Sequence, residues 1–268
     1  AEQDGDAIGP DIEGHTVGLV TFEPGAPSTG YTLFAPMGFQ TTYLIDLYGD
    51  VVHTWPSEYR PGLAVYLLDD GSILRAAVDL GEDGGEVFDA GGAGGRVQRI
   101  APDGTLLWDW GIASDQVRQH HDVEPMPNGN VLVVAWEAKT PQEALAVGRD
   151  PALLNDEGLW PDHILEVTPS GLHGATVVWE WHSWDHLVQD LDPELPDYGE
   201  PNALPGRVDV NYTAVGNAAA DWLHVNSVQY HAGRDQIVLS AHNLGEVWIV
   251  DHDTTSEEAA GPSGDLLY

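Results

Sequence analysis

The sequence contains no cysteine, which excludes disulfide bonds, a thiol nucleophile and a cysteine-ligated metal centre for this chain. No apolar run approaches the roughly 20 residues that a helix needs to cross a bilayer, so we expect no membrane span. No signal-peptide pattern is present, although the opening residues would suit a mature terminus left by cleavage. Lysine is almost absent, since Lys139 is the only one.

Acidic residues dominate the charged side chains, with 44 acids against nine bases and a net charge of −35. Nucleic acids and anionic membranes would be repelled, so neither is an expected partner. The ten tryptophans and many short aliphatic runs argue against disorder. A folded protein with an acidic coat and few lysines is typical of a salt-adapted organism, because salt screens the repulsion between carboxylates.

Short apolar runs separated by Gly, Asp, Asn and Pro predict an all-β fold. The glycines in DDGS, PDGT and PNGN suit tight turns between strands, because those turns need a positive φ. One helix is predicted, around residues 140–158.

A repeated pattern indicates a β-propeller with four-stranded blades. The six-residue segments DVVHTW, TLLWDW and TVVWEW have the same order of residue types: polar, aliphatic, aliphatic, large ring, polar and Trp. The segment DLLY matches the start of this pattern. They occupy residues 50–55, 105–110, 176–181 and 265–268. A sandwich with coincidental Trp placement is the alternative. We expect residues 1–30 to form an N-terminal extension or strand, and residues 31–268 a partial propeller of roughly three to four blades.

Histidines precede two of the predicted strands in a similar pattern. HHDVEPMPNGNVLVV begins at His120 and HVNSVQY begins at His224, each as His-x-(Asp or Asn). Because strand side chains alternate between faces, His120 should share a face with Asp122, and His224 with Asn226. His121 should point the other way, and equivalent blade positions should converge on the propeller axis.

Such pairs either form a site or tie neighbouring strands together by hydrogen bonds. SWDHL with His186 and SAHNLGE with His242 add further histidines near predicted strands. No tight ligand spacing is present, so no metal site is expected. The acidic segment DLDPELPDYGE, residues 190–200, could bind calcium, but a solvated loop is the preferred interpretation. No cofactor is otherwise expected.

Several segments together resemble the arylsulfotransferase family, from about residue 30 onward. They are YTLFAP, TYLIDLYGDVVHTW, HHDVEPMPNGNVLVVAWE, DHILEVTP, VVWEWHSWDHL, DWLHVNSVQY, QIVLSAHNLGEVWIVDH and GDLLY. The resemblance implies a secreted or periplasmic six-bladed propeller. It also implies transfer of a sulfuryl group from a phenolic sulfate ester to a phenol through a sulfated histidine, without a nucleotide donor.

The resemblance implies roles for particular residues. His224 and Asn226 match the family's His-x-Asn. His120, with its neighbour His121 as the less favoured alternative, matches an earlier catalytic histidine, and His242 stands where the family has arginine. The expected catalytic residues are His120, His224, Asn226 and His242. The expected substrate-binding residues are His121, Asp122, His186 and Trp222. The family's sulfated histidine would lie in a later blade, beyond Tyr268.

Two other functions stay open at this point. A non-catalytic secreted propeller would bind a ligand or serve as an assembly or surface subunit, completed by self-association or by a second chain. DGTLLWDW is also similar to the Trp repeats of quinoprotein propellers, but nothing marks a quinone pocket. The expected small-molecule partners of the leading hypothesis are aryl sulfates and phenols.

Overall fold

The chain folds into successive antiparallel sheets, as seen in a computed structural model. The structure describes residues 18–23, 25–26, 28–81, 87–212 and 220–268. Most of the predicted extension over residues 1–30 lies outside these ranges. Among the described residues, no helix is long and apolar enough to cross a membrane.

Four sheets each run as a meander in chain order. The first contains β1 (Thr32–Phe34), β2 (Thr42–Ile45) and β3 (Val51–Trp55). The second contains β4 (Pro61–Leu67), β5 (Ile73–Val78), β6 (Gly95–Ile100) and β7 (Leu106–Gly111). The third contains β8 (Val117–Pro125), β9 (Val131–Glu137), β10 (Asp162–Ser170) and β11 (Gly174–His182).

A short parallel pair precedes the fourth sheet. The pair is β12 (Leu187–Val188) and β13 (Val208–Asp209). The fourth sheet contains β14 (Val225–His231), β15 (Gln236–Ala241) and β16 (Glu246–Asp251). The helices are α1 (Pro141–Ala146) and α2 (Ser256–Ala259), with 3-10 turns at Pro151–Leu153, Ser183–His186, Pro201–Ala203 and Pro262–Gly264.

The first strands of neighbouring sheets lie side by side. β8 packs against β4 on one side and against β14 on the other, and β1 contacts β4. Sequential meanders whose first strands are neighbours are the blades of a β-propeller. The fold is therefore all-β and of the propeller type, as the sequence repeats predict.

The repeated Trp segments occupy equivalent places, since they fall in β3, β7 and β11, the last strands of the first three sheets. Trp108 in β7 donates through Nε1 to the carbonyl of Gly174 in β11 at 2.8 Å, which joins the outer edges of two blades. Leu267 donates its backbone N–H to Ile249 of β16 at 2.8 Å, so DLLY lies along the last strand of the fourth sheet.

The predicted helix over residues 140–158 is much shorter in the structure. Thr140 and Glu143 form a capping box that begins α1, and the helix ends at Ala146. Gly148 has a φ of 86°, and Pro151 begins a separate 3-10 turn. The left-handed glycine and the proline stop the helix, because neither continues an α-helical hydrogen-bond pattern.

Asp122 ties the three inner strands together. Its Oδ1 accepts from the Tyr66 hydroxyl of β4 at 3.0 Å, and its Oδ2 accepts from the backbone N–H of Val228 in β14 at 3.1 Å. Oδ1 also accepts from the N–H of Val123 at 2.9 Å. The carboxylate that the sequence offered as a substrate ligand thus has its oxygens engaged within the fold.

Replacing Asp122 tests whether its hydrogen bonds to the inner strands stabilise the fold. We expect Asp122→Ala to lower the free energy of unfolding by about 2–4 kcal/mol, because it leaves the partly buried Tyr66 hydroxyl and Val228 N–H without an acceptor. Asp122→Asn keeps one acceptor oxygen and should lose less. Urea denaturation of the two variants and the parent measures the difference, and equal stability of all three would contradict the assignment.

Candidate functional site

Four histidines meet beside the inner strands β8 and β14. His121 Nδ1 lies 2.9 Å from His120 Nδ1, and the ring centroids of His121 and His224 are 4.4 Å apart. The His224 and His242 centroids are 5.3 Å apart. His120, His121, His224 and His242 are called the histidine cluster below. The structure thus brings together three of the four predicted catalytic positions and adds His121.

Backbone irregularities decide which rings face one another. β8 has a bulge between Gln119 and Val123, and His121 has a φ of 48°. The expectation that His121 points away from the site is wrong, because a bulge breaks the strict alternation of side chains. The N–H of His121 donates to the carbonyl of Gly92 at 2.8 Å. A Cβ at Gly92 would lie 2.0 Å from the ring of His121, so only glycine fits there.

His120 is fully buried rather than exposed to a ligand. Its ring stacks on Trp136 with centroids 3.9 Å apart, and its Nε2 lies 2.9 Å from Asp162 Oδ1. Burial lowers the pKa of His120 to about 3, so the ring is neutral. Because His120 is buried, half-buried His121 is the member of this pair whose ring a ligand could reach. His120 instead positions that ring through the Nδ1–Nδ1 contact, which needs one ring to donate and the other to accept.

His224 is the member of the cluster whose pKa is raised. Its Nδ1 donates to Asp221 Oδ2, and this hydrogen bond is the main reason that the pKa of His224 lies above its ordinary value. Burial and the neighbouring His120 and His224 lower the pKa of His121 to about 3. Asp221 thus favours the protonated form of His224, next to a ring of His121 whose neutral form is favoured.

Asp221 is itself held in place from two sides. Its Oδ1 accepts from Trp136 Nε1 at 3.0 Å, and its backbone carbonyl accepts from Asn243 Nδ2 at 2.9 Å. Asp162 lies under His120, and its Oδ2 accepts from the backbone N–H of Val225 at 3.2 Å. Trp136 therefore contacts both acid–histidine pairs.

His242 lies at the exposed side of the cluster, and Asn226 follows His224 by two residues in β14. His242 is exposed, and its Nδ1 lies 2.9 Å from Asn243 Oδ1. Asn226 is half-buried in a bulge between Val225 and Ser227. His224 precedes β14 with a φ of 55°, so the expectation that strand alternation sets its direction together with Asn226 does not hold.

Two predicted substrate-binding residues are not part of the cluster. His186 is fully buried, with Nδ1 2.9 Å from Asp265 Oδ1, Nε2 2.8 Å from the Ala259 carbonyl and its ring stacked on Trp181. Trp222 is 5% exposed and packs in the largest apolar core, with the Arg149 guanidinium 5.5 Å from its ring centroid. Neither side chain reaches the cluster, because both ring nitrogens of His186 are paired inside the fold and the Trp222 ring packs in the core.

The sequence interpretation did not assign Asp221, Asp162 or Trp136 to the site. The spacing of Asp221, three residues before His224, was the available signal within DWLH. Asp162 opens the segment DHILEV, and Trp136 ends the apolar run of β9. Neither position signals proximity to a histidine in another strand or blade.

The acidic segment at 190–200 is organised by a buried amide. Gln189 Oε1 accepts from the N–H groups of Leu191 and Asp192, both at 2.9 Å. Its Nε2 donates to the carbonyls of Asp192 and Pro196 at 2.8 and 3.1 Å. The side chain of Gln189 therefore stabilises the backbone conformation of this acidic loop through four hydrogen bonds.

The cluster has the chemistry of an anion and proton-transfer site. An imidazolium donates a charge-assisted hydrogen bond and releases a proton near neutral pH. A neutral ring beside it donates or accepts according to its tautomer. The exposed His242 adds a further nitrogen, so a small oxyanion would find several donors in an otherwise acidic protein.

Removing the charge of Asp221 should lower the pKa of His224. The groups facing His224 are Asp221, His121, His242 and, more distantly, Asp162. A raised folded-state pKa gives stability that is complete below pH about 6.5 and is lost as the pH rises through the folded value. We expect Asp221→Asn to remove this dependence, as measured by NMR titration of the imidazole and by thermal unfolding across pH 5–9.

Asp221→Asn keeps an oxygen that accepts from Trp136, so the variant should fold. A parallel His173→Ala variant controls for titration of an exposed histidine elsewhere. An unchanged pKa of His224 in Asp221→Asn would contradict the assignment.

Comparisons with known proteins agree with the motifs in this region. A family model described as Arylsulfotransferase (ASST) matches residues 90–257, which is more than half of the chain and includes every member of the histidine cluster. A search of curated proteins finds no match. Among solved structures, a chain of Kuenenia stuttgartiensis hydrazine synthase is similar, with 14% identity and a TM-score of 0.49. The match covers 89% of this chain and 58% of that chain.

Proposed function

Because the chain belongs to the arylsulfotransferase family, we propose that it takes part in transfer of a sulfuryl group from a phenolic sulfate ester to a phenol, with the histidine cluster as its site. The main structural support for this proposal is the Asp221–His224 pair, which lies beside the neutral ring of His121. The sequence resemblance supports the substrate class, and the geometry supports an anion site.

The proposed roles of the histidines follow from the negative charge of the sulfuryl group. The sulfuryl oxygens are negative and need hydrogen-bond donors in the transition state. His224, held as an imidazolium by Asp221, would donate from Nε2 to the ester and then protonate the phenolate that leaves. His121 would contribute a second ring nitrogen, with its orientation fixed by His120 and by the carbonyl of Gly92.

His242 would take the place of the arginine that the resemblance implies. An exposed imidazole offers one donor toward the ligand, whereas a guanidinium offers a permanent charge and a forked pair of donors. We therefore expect weaker binding of the sulfate group here than an arginine would give. Asn226, next to this side of the cluster, would supply a neutral amide donor.

The transfer itself would proceed in two displacements. A histidine nitrogen attacks sulfur, the bond from sulfur to the phenolic oxygen breaks, and the leaving phenolate takes a proton from His224. The second phenol reverses these steps. In line with the resemblance, we assign the attacking histidine to a position outside these 268 residues. The histidine cluster would bind the sulfuryl group while it is transferred.

Binding and turnover of p-nitrophenyl sulfate test the proposal. We expect His224→Ala to reduce phenol-dependent release of p-nitrophenolate by about a hundredfold or more, the scale of a lost general acid. His121→Ala should weaken binding of the ester by calorimetry, and His242→Arg should tighten it. Turnover is measured on the native protein, and binding on the 268-residue chain.

His173→Ala is the matched control, because it removes an exposed histidine next to Asp109, away from the cluster. Absence of ester binding in the parent, or equal binding in the parent and His224→Ala, would overturn the proposal. Ester binding without any phenol-dependent turnover would instead favour the second candidate, a non-catalytic ligand-binding propeller. That candidate is motivated by His242, and it predicts self-association or a second chain in sedimentation.

We also propose that the protein is secreted and adapted to high salt. The net charge is −35, and three of the few cationic side chains, Arg75, Arg118 and Arg149, are buried. They therefore do little to offset the repulsion between surface carboxylates. Salt shortens the screening length from about 10 Å at 0.1 M to about 3 Å at 1 M.

The unfolding temperature should accordingly rise as NaCl increases from 0.1 M to above 1 M, because screening removes carboxylate repulsion in the folded state. Differential scanning calorimetry at constant pH measures this. Sodium chloride is preferred over sulfate, which stabilises most proteins by exclusion from their surface. A flat or falling unfolding temperature would contradict salt adaptation.

A further inference from the structure

A second group of histidines lies on the third sheet, apart from the histidine cluster. His163 of β10 pairs directly with His182 of β11, and their rings stack with centroids 3.9 Å apart. Glu180 lies two residues before His182 in the same strand and so shares its face. His163, Glu180 and His182 are called the blade-edge triad below.

The ligand atoms of the triad converge on one point. Glu180 Oε2 lies 3.6 Å from His163 Nε2 and 3.9 Å from His182 Nε2, and the triad's candidate ligand atoms all lie within 4.8 Å of one another. Tetrahedral zinc with bonds of about 2.0–2.1 Å separates its ligand atoms by about 3.3 Å. Small side-chain rotations therefore bring the three atoms to coordination distance.

We propose that the blade-edge triad binds a divalent transition-metal cation of the zinc class. Two imidazoles and one carboxylate are a ligand set that zinc accepts, whereas calcium and magnesium prefer all-oxygen sites. The fourth position is open to water, because the Glu180 and His182 side chains are 41% and 25% exposed.

A carboxylate behind His182 fixes the ring for this role. His182 Nδ1 donates to Glu137 Oε1 at 3.2 Å, which leaves Nε2 facing Glu180. Glu137 in turn accepts from Lys139, the single lysine of the chain, at 2.9 Å. A carboxylate that orients a histidine ligand in this way is a regular feature of protein metal sites.

The surroundings of His163 give separate support for a bound cation. The residue is 5% exposed, its Nδ1 has no hydrogen-bond partner among the described residues, and its Nε2 lies 3.6 Å from Glu180 Oε2, longer than a hydrogen bond. A buried polar atom without a partner is costly, and it is rare in folded proteins. Coordination through Nε2 would satisfy one of these nitrogens.

The triad and the histidine cluster occupy opposite faces of one strand. Asp162 lies close to His120 on one side of β10, while the next residue, His163, faces His182. A cation at the triad would fix β10 next to the acid that lies under His120. The site is therefore proposed as structural, and its test is independent of sulfuryl transfer.

Equilibrium dialysis of untagged, chelator-treated protein against Zn²⁺ tests the proposal, with excess Mg²⁺ present to occupy the exposed carboxylates. We expect one zinc per chain by elemental analysis, and an unfolding temperature that rises with zinc. His182→Ala and Glu180→Gln should weaken binding at least about tenfold. Glu137→Gln, which alters only the orienting carboxylate, should weaken it about ten- to a hundredfold.

His173→Ala is the control, since His173 is exposed and paired with Asp109 but has no second histidine beside it. It should bind zinc as the parent does. Co²⁺ gives a second readout, because a four-coordinate site produces intense visible absorption that His182→Ala should abolish. No retained zinc, or retention that His182→Ala and Glu180→Gln leave unchanged, would show an ion-free histidine–carboxylate network and overturn the proposal.

Discussion

The side-by-side packing of the inner strands β4, β8 and β14 is the constraint on which the rest of the structure depends. Asp122 accepts hydrogen bonds from all three strands, and so fixes their spacing. The bulge in β8 lies immediately before this tie, where it turns His121 toward His224. The same carboxylate therefore holds the blades together and sets the position of the site.

Scarcity of cations shapes the electrostatics of the molecule. Arg75, Arg118 and Arg149 are buried and donate to backbone carbonyls, so they serve packing between segments of the chain. The positive charge of the site must then come from histidine. Asp221 provides it by raising the pKa of His224, whereas burial keeps the rings of His120 and His121 neutral. In the proposed site, paired acid and imidazole groups would supply the local positive charge that an anion needs in this acidic protein.

Strand β10 links the two histidine groups through consecutive residues. Asp162 is buried beneath His120, and burial together with nearby Asp221 raises its pKa well above the ordinary value. His163 faces the other side, toward His182 and Glu180. A shift of β10 would therefore move residues of both groups together. The strand next to it, β9, is completely buried.

Local sequence patterns were enough to predict the strand content, the blade repeat and the family. Apolar runs, turn glycines and Trp spacing are local properties, and Gly71, Gly104 and Gly129 adopt the positive φ that their turns require. The motif around His224 likewise identified one member of the site. Tertiary structure decided the rest. Bulges at Gln119–Val123 and Val225–Ser227 overrode strand alternation, so the ring of His121 faces His224 while His120 is buried. His186 and Trp222 are buried apart from the histidine cluster, and cross-strand pairing brings His163 next to His182. Register and burial arise from contacts between segments distant in sequence, which spacing along the chain does not encode.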